Sequence, residues 1–246
     1  FLQKRQATQA RGAFAEAVKL NPNLPEARTA LAELYLAEGS SDLAIEQAQA
    51  AIQLNPRNVQ AAIISGDAYL RKGDFAKSRQ VFEAIAQALP KEAVGPYRLG
   101  LVARAEKDDT KALAYFEDAL SKKPTAIEPL AQIAMIKIAQ GKSNEARERV
   151  SKQLEASPNN PLLYNLLGQL WMQAADAGQA EIAFKKAIEL DNSLLSAYMN
   201  LGQVYLIAGK TDQAVKEYEA VLAKDPKVLQ AHMLLGIIHD SQKEYA

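Results

Sequence analysis

The only histidines of this 246-residue chain are His232 and His239, seven residues apart and so on one face of any helix that carries both. Taken alone, two imidazoles in that register could be half of a metal site. There is no cysteine, which rules out disulfides, thiolate metal sites and cysteine nucleophiles. The acidic pair Asp108 and Asp109 could work as general acid and base only in a shared cleft. It stands instead in a short polar stretch where helix caps and solvated loop charges are expected. The cluster "EARER" (Glu145 to Arg149) mixes signs and sets Glu145 four residues before Arg149, as on an exposed helix face. No phosphate-binding glycine loop, dinucleotide fingerprint, zinc-protease motif or nucleophile elbow occurs. We therefore expect no catalytic, metal or cofactor site.

Composition points the same way. Lys plus Arg and Asp plus Glu both number 29, so no whole-chain attraction to nucleic acid or to an anionic membrane is expected. No run of about 18 apolar residues is present to span a bilayer. Cytoplasm and periplasm are both compatible with this sequence.

Periodicity is the stronger signal. "AVKLNP" (Ala17 to Pro22), "AIQLNP" (Ala51 to Pro56) and "VLAKDP" (Val221 to Pro226) are near copies. Prolines 22, 56, 90, 124, 158 and 226 lie on one 34-residue grid, with Asn192 at the remaining point. Counting back 24 residues from each grid point gives small residues throughout: Ala32, Gly66, Gly100, Ala134, Gly168 and Gly202, with Gly236 one period on. Aromatic residues recur three places after most of these, at Tyr35, Tyr69, Trp171 and Tyr205, and an Ala-x3-Phe pattern precedes the grid, as in "AEIAF" (Ala180 to Phe184). His232 and His239 fall in the aromatic slots of this grid, so they are expected to pack.

The pattern resembles the tetratricopeptide repeat, whose 34 residues read aromatic, x2, Leu-Gly, x2, Tyr, then Ala-x3-Phe, then Pro. "YNLLGQLW" (Tyr164 to Trp171) and "YMNLGQVY" (Tyr198 to Tyr205) carry it best. The resemblance implies an all-α fold, a right-handed α-solenoid of helix-turn-helix units. Six complete units are placed at 25–58, 59–92, 93–126, 127–160, 161–194 and 195–228. Residues 1–24 read as the end of one helix plus a second, and residues 229–246 as a first helix. Phe1 falls in the Tyr slot, and Tyr245 with Ala246 open a further second helix. The broken pattern at both ends reads as a segment of a longer, bacterial-type protein.

Each slot has a physical reason. Small residues let the paired helices approach. Gly39, Gly73, Gly141 and Gly209 stand where a left-handed residue ends the first helix. Ser41, Thr110, Ser143 and Thr211 are expected to cap the second helix, and Pro25 and Pro161 to sit in a first turn. Units 93–126 and 127–160 are the least regular, with Pro96, Ala103, Lys137, Val150 and Gln153 in atypical positions. That is either a local bend or drift in tolerant slots.

By the same resemblance the first helices line an inner wall, on the side away from their packing slots. Tyr97, Arg98, Gln132, Asn165, Gln169, Asn200 and Gln203 are the expected contacts for an extended peptide or a partner helix. Met135, Gln230 and Met233 also fall in wall slots. The wall runs from acidic (Glu26, Glu33, Asp67) to amide-rich and neutral. Asn200 matches the central Asn of the family's carboxylate clamp. Its cations are missing, with Asn165, Gln169, Gln230 and Leu234 in the other clamp slots, so a clamp is not expected. The function implied is a protein-interaction scaffold. The alternatives are the non-catalytic arm of a larger enzyme or polysaccharide-export machine, or a module that self-assembles into homo-oligomers through its open ends.

Overall fold

The computed structural model describes residues 2–244 and is all helix, fourteen in chain order. They are α1 (Leu2–Leu20), α2 (Pro25–Ala37), α3 (Ser41–Leu54), α4 (Val59–Arg71), α5 (Phe75–Ala88), α6 (Val94–Ala105) and α7 (Asp109–Lys122). Then come α8 (Ile127–Ala139), α9 (Ser143–Ala156), α10 (Pro161–Gln173), α11 (Ala177–Leu190), α12 (Leu195–Ile207), α13 (Thr211–Lys224) and α14 (Leu229–Glu244). Residues 1–124 and 125–246 form two compact units, and the division falls between the two irregular repeats. Each unit is an all-α stack of helix pairs. A first helix such as α2 or α10 packs on its own second helix, α3 or α11, which packs in turn on the next first helix.

Close packing of each pair rests on one contact, repeated. A Cβ on Gly66, Gly100, Gly168 or Gly202 would lie 2.5, 2.4, 2.6 or 2.5 Å from the ring of Phe82, Phe116, Phe184 or Tyr218, sixteen residues on. Where the later residue is smaller, the earlier one is alanine: Ala32 with Ala48, and Ala134 with Val150, all buried. The glycines are thus space for a ring. Ser78 stands in a slot filled elsewhere by alanine, and its hydroxyl donates to Gly66 O at 2.9 Å, which satisfies a fully buried polar group.

The pairs turn on a left-handed residue. Gly39, Gly73, Gly141 and Gly209 have φ between 70° and 82°, and Lys107 (65°) and Ala175 (58°) adopt the same conformation at the two remaining places. The next residue's N–H then donates back to the Tyr-slot carbonyl, as from Ser40 to Tyr35 O at 2.8 Å and from Lys210 to Tyr205 O at 2.8 Å. None of the four expected second-helix caps forms: α3, α9 and α13 have no side-chain cap, and in α7 Asp108 takes the place expected of Thr110. Ser41, Ser143 and Thr211 are the first helical residues and Thr110 the second. The carboxylates of Asp74, Asp108 and Asp176, one place before their helices, accept from the N–H of Lys77, Lys111 and Gln179. Position explains this, since only the residue before the first turn can reach back to the orphan N–H groups. Pro25 and Pro161 do open α2 and α10.

Two other expectations give way. Residues 2–20 are one helix, where the pattern placed the end of one helix and then a second. Arg5 and Gln6 hold the places of the turn glycine and the cap there, and neither favours a break. His232 and His239 are exposed, because α14 packs chiefly on α13 through its other side; His232 Nε2 lies 2.9 Å from Pro226 O, the same tether that Arg28 Nε makes to Pro22 O. Phe1, Tyr245 and Ala246 lie outside the described residues. Among those residues no group of three or more potential ligands could hold a metal ion, and no helix is long and apolar enough to cross a membrane.

Candidate functional site

In residues 1–124 the first helices are α2, α4 and α6. Thr29 of α2 donates to Pro25 O at 2.7 Å and accepts from Asn58 Nδ2 at 2.8 Å, a bond that ties the start of α4 to α2. Asp67 of α4 meets Arg98 of α6 at 3.1 Å, both half-buried. Burial pushes the Asp67 carboxyl above its ordinary range, although Arg98 and Arg71 pull the other way. Desolvation thus outweighs attraction, and a pair of that kind adds little to stability. Arg98 Nε is buried with no partner, and the guanidinium stands 5.8 Å from the Tyr97 ring centroid. Tyr97 itself lies 5.9 Å from the Phe116 ring, so it helps to hold α6 on α7 as well as lining the first-helix face.

In residues 125–246 the first helices are α8, α10, α12 and α14. Asn200 Nδ2 of α12 donates to Asn165 Oδ1 of α10 at 3.0 Å, across two repeats. Gln169 is one turn beyond Asn165 on the same face, and it and Gln203 are exposed. Gln132 is half-buried on α8. The register place of Gln169 and Gln203 is held by Met135 on α8 and Ile237 on α14, exposed to 49% and 62%. Sequence reasoning placed Met135 and Met233 on this wall but missed Ile237, whose slot is polar in its two preceding neighbours, Gln169 and Gln203. The face is therefore two amide rows flanked by exposed apolar side chains.

Of the seven residues expected to contact a partner, the structure brings Asn165 and Asn200 into direct contact, with Gln169 and Gln203 beside them. Tyr97 and Arg98 adjoin each other in the other compact unit. The opposite side of α10 holds a feature that nothing in the sequence singles out. Tyr164, Leu167 and Trp171 read as packing slots, yet with Ile182 and Ala183 of α11 they line an open groove of about 460 Å³.

Comparison with known proteins now decides the family. Tetratricopeptide repeat families match residues 1–54, 29–93 and 199–246, residues 103–170, and residues 162–194. The chain is a tetratricopeptide repeat protein. Photosystem I assembly protein Ycf3 from Prochlorococcus marinus is 29% identical over 125 residues, which cover 45% of this chain and 72% of that protein. The crystal structure of a tetratricopeptide repeat protein from Parabacteroides merdae superposes with TM-score 0.62 at 15% identity, covering 97% of this chain and 94% of the other. The human IFIT1 dimer with PPP-AAAA gives 0.56 at 18% identity, over 90% of this chain and 56% of that one. At these identities the two structures share the fold with this chain, and the likeness goes no further.

Proposed function

We propose that this tetratricopeptide repeat protein is a non-catalytic scaffold that binds an extended peptide, through its main chain, on the first-helix face of residues 125–246. The observation that carries the reading is the Asn165–Asn200 bond. Each amide uses one of its four hydrogen-bonding sites there: Asn165 keeps its NH₂ as donor, and Asn200 keeps its carbonyl as acceptor. A fixed donor beside a fixed acceptor matches the alternating C=O and N–H groups of an extended chain. Gln169 and Gln203 continue the same chemistry one turn on. Met135, Met233 and Ile237 offer adaptable apolar contact for the peptide's side chains. Arg98 and Tyr97 are a second contact point, where a ligand carboxylate would compete with Asp67 for the guanidinium.

The likeness to Ycf3, named as a photosystem I assembly protein, supports reading the chain as an assembly scaffold. A stack of repeats suits that task, because many weak and independent contacts can be spread along one face.

Panning a phage library of linear peptides on the chain, then measuring the enriched peptides against Asn165→Ala/Asn200→Ala, tests the reading. Loss of two main-chain hydrogen bonds of roughly 1 kcal/mol each should weaken binding by about tenfold or more. The circular dichroism spectrum should not change. Equal affinity for both proteins would remove the amide pair from the site.

A further inference from the structure

Helix α10 has a second working side. At about 100° per residue, Tyr164, Leu167 and Trp171 point roughly opposite to Asn165 and Gln169. They form the floor of the groove, and Gln179, Ile182, Ala183 and Lys186 of α11 form one wall. Ile182 is 64% exposed, so a large apolar side chain faces open space at the groove. Arg147 of α9 does not line the groove, but its guanidinium stacks 4.5 Å from the ring centroid of Trp171, which does.

The lysines around the groove have acidic partners, and among the described residues Arg147 does not. Lys186 is paired with Glu189 at 2.7 Å, and Lys185 with Glu181 at 2.7 Å. Lys210 shares Glu181 at 3.3 Å, and Glu217 also interacts with Lys185, so that cluster is balanced. Arg147 hydrogen-bonds the side-chain amide of Asn144, and among the described residues no carboxylate pairs with it. A cation stacked on an aromatic ring without an acid, beside an apolar floor, complements a ligand that is apolar in the middle and acidic at its edge. The lining of α11 runs from Gln179 to Glu189, roughly 15 Å along the helix, or about three turns of a docked helix. Its volume accommodates anchoring side chains and leaves the ligand backbone outside.

From this we infer that the groove between α10 and α11 docks an amphipathic helix of a partner protein, with apolar anchors on Tyr164, Leu167, Trp171 and Ile182 and an acidic residue on Arg147, which stacks on Trp171 from α9. The site is distinct from the amide face and does not depend on it.

Trp171 is the only tryptophan in the chain, so its emission reports this groove and nothing else. The probe is a tryptophan-free synthetic peptide of about sixteen residues, with Leu at helical i, i+3, i+4, i+7 spacing and Glu elsewhere. Its twin carries Lys in place of Glu. The Glu peptide should shift Trp171 emission saturably, and the Lys twin should bind at least about tenfold more weakly. Arg147→Glu should reverse that preference. Ile182→Asp, at an exposed position that the fold does not need, should abolish the shift. Asn165→Ala/Asn200→Ala should leave it unchanged. No saturable shift with the Glu peptide would overturn the inference. So would equal binding of both peptides that Arg147→Glu leaves untouched, or binding detected by peptide anisotropy while Trp171 emission stays silent.

Discussion

At the scale of single residues, the fold depends on matching a small residue to a ring sixteen places later. Gly100→Ala would drive a methyl group to 2.4 Å from the fully buried Phe116 ring. Overpacking of that kind costs about 1–3 kcal/mol and outweighs the roughly 1 kcal/mol that alanine gains over glycine in a helix. A Cβ added at Gly236 would have nothing within 4 Å, so Gly236→Ala should instead be neutral or stabilising. Chemical denaturation should show a lowered midpoint for the first variant and none for the second. Tyr218 is the one ring of this set with a hydroxyl, which is buried without a partner. Tyr218→Phe should therefore raise stability by about 1 kcal/mol, the cost of an unsatisfied buried polar group. The glycine and proline slots were legible in the sequence because a missing side chain or a missing N–H has only a few uses. The exposure of His232 and His239 was not legible, since an aromatic slot implies packing only where a neighbouring helix covers it.

At the scale of helices, each pair is joined by a left-handed residue, followed in three of the six by an aspartate cap. Ala175 bears the steric penalty that L-residues meet there, about 1–2 kcal/mol, where four other pairs use glycine. Ala175→Gly should raise the melting temperature despite the greater chain entropy of glycine. The caps add a pH dependence. Hydrogen bonds from the Lys77 and Lys111 side chains, then from their backbone N–H groups, hold the Asp74 and Asp108 carboxyls below their ordinary value. A carboxylate whose folded value is depressed stabilises the fold above its unfolded value of about 3.9, and that help is lost as pH falls through the lower folded value. The caps' contribution to melting temperature should hold steady from neutrality down to about pH 5 and fall below about pH 4. Asp67 and Glu217, raised by burial, act in the opposite sense on acidification, so comparing wild type with Asp108→Asn isolates the cap. Asp108→Asn, which keeps an N-cap acceptor, should make the acid fall shallower. The sequence placed polar residues at the start of four second helices but did not show which residue caps, because a shift of one place in the turn decides whether a side chain can reach the free N–H groups.

At the scale of the whole molecule, the 34-residue period carried the fold class, since a pattern repeated along the entire chain has few structural solutions. The surface was less legible. Amides on the first helices could be picked out by register alone, yet the bond between Asn165 and Asn200 joins residues 35 apart and appears only in three dimensions. The groove under Trp171 was hidden for the opposite reason, because its floor residues match the packing pattern. The central claim is recognition of a peptide's main chain by the Asn165–Asn200 pair. Its most direct test is an N-methyl scan of a peptide selected on this chain, with affinity measured for each singly methylated form. Methylation removes one backbone N–H and leaves every side chain in place. The account predicts sharp losses at one or two adjacent positions, and no such losses in the already weakened binding to Asn165→Ala/Asn200→Ala. A flat scan, with affinity governed by side chains alone, would contradict it.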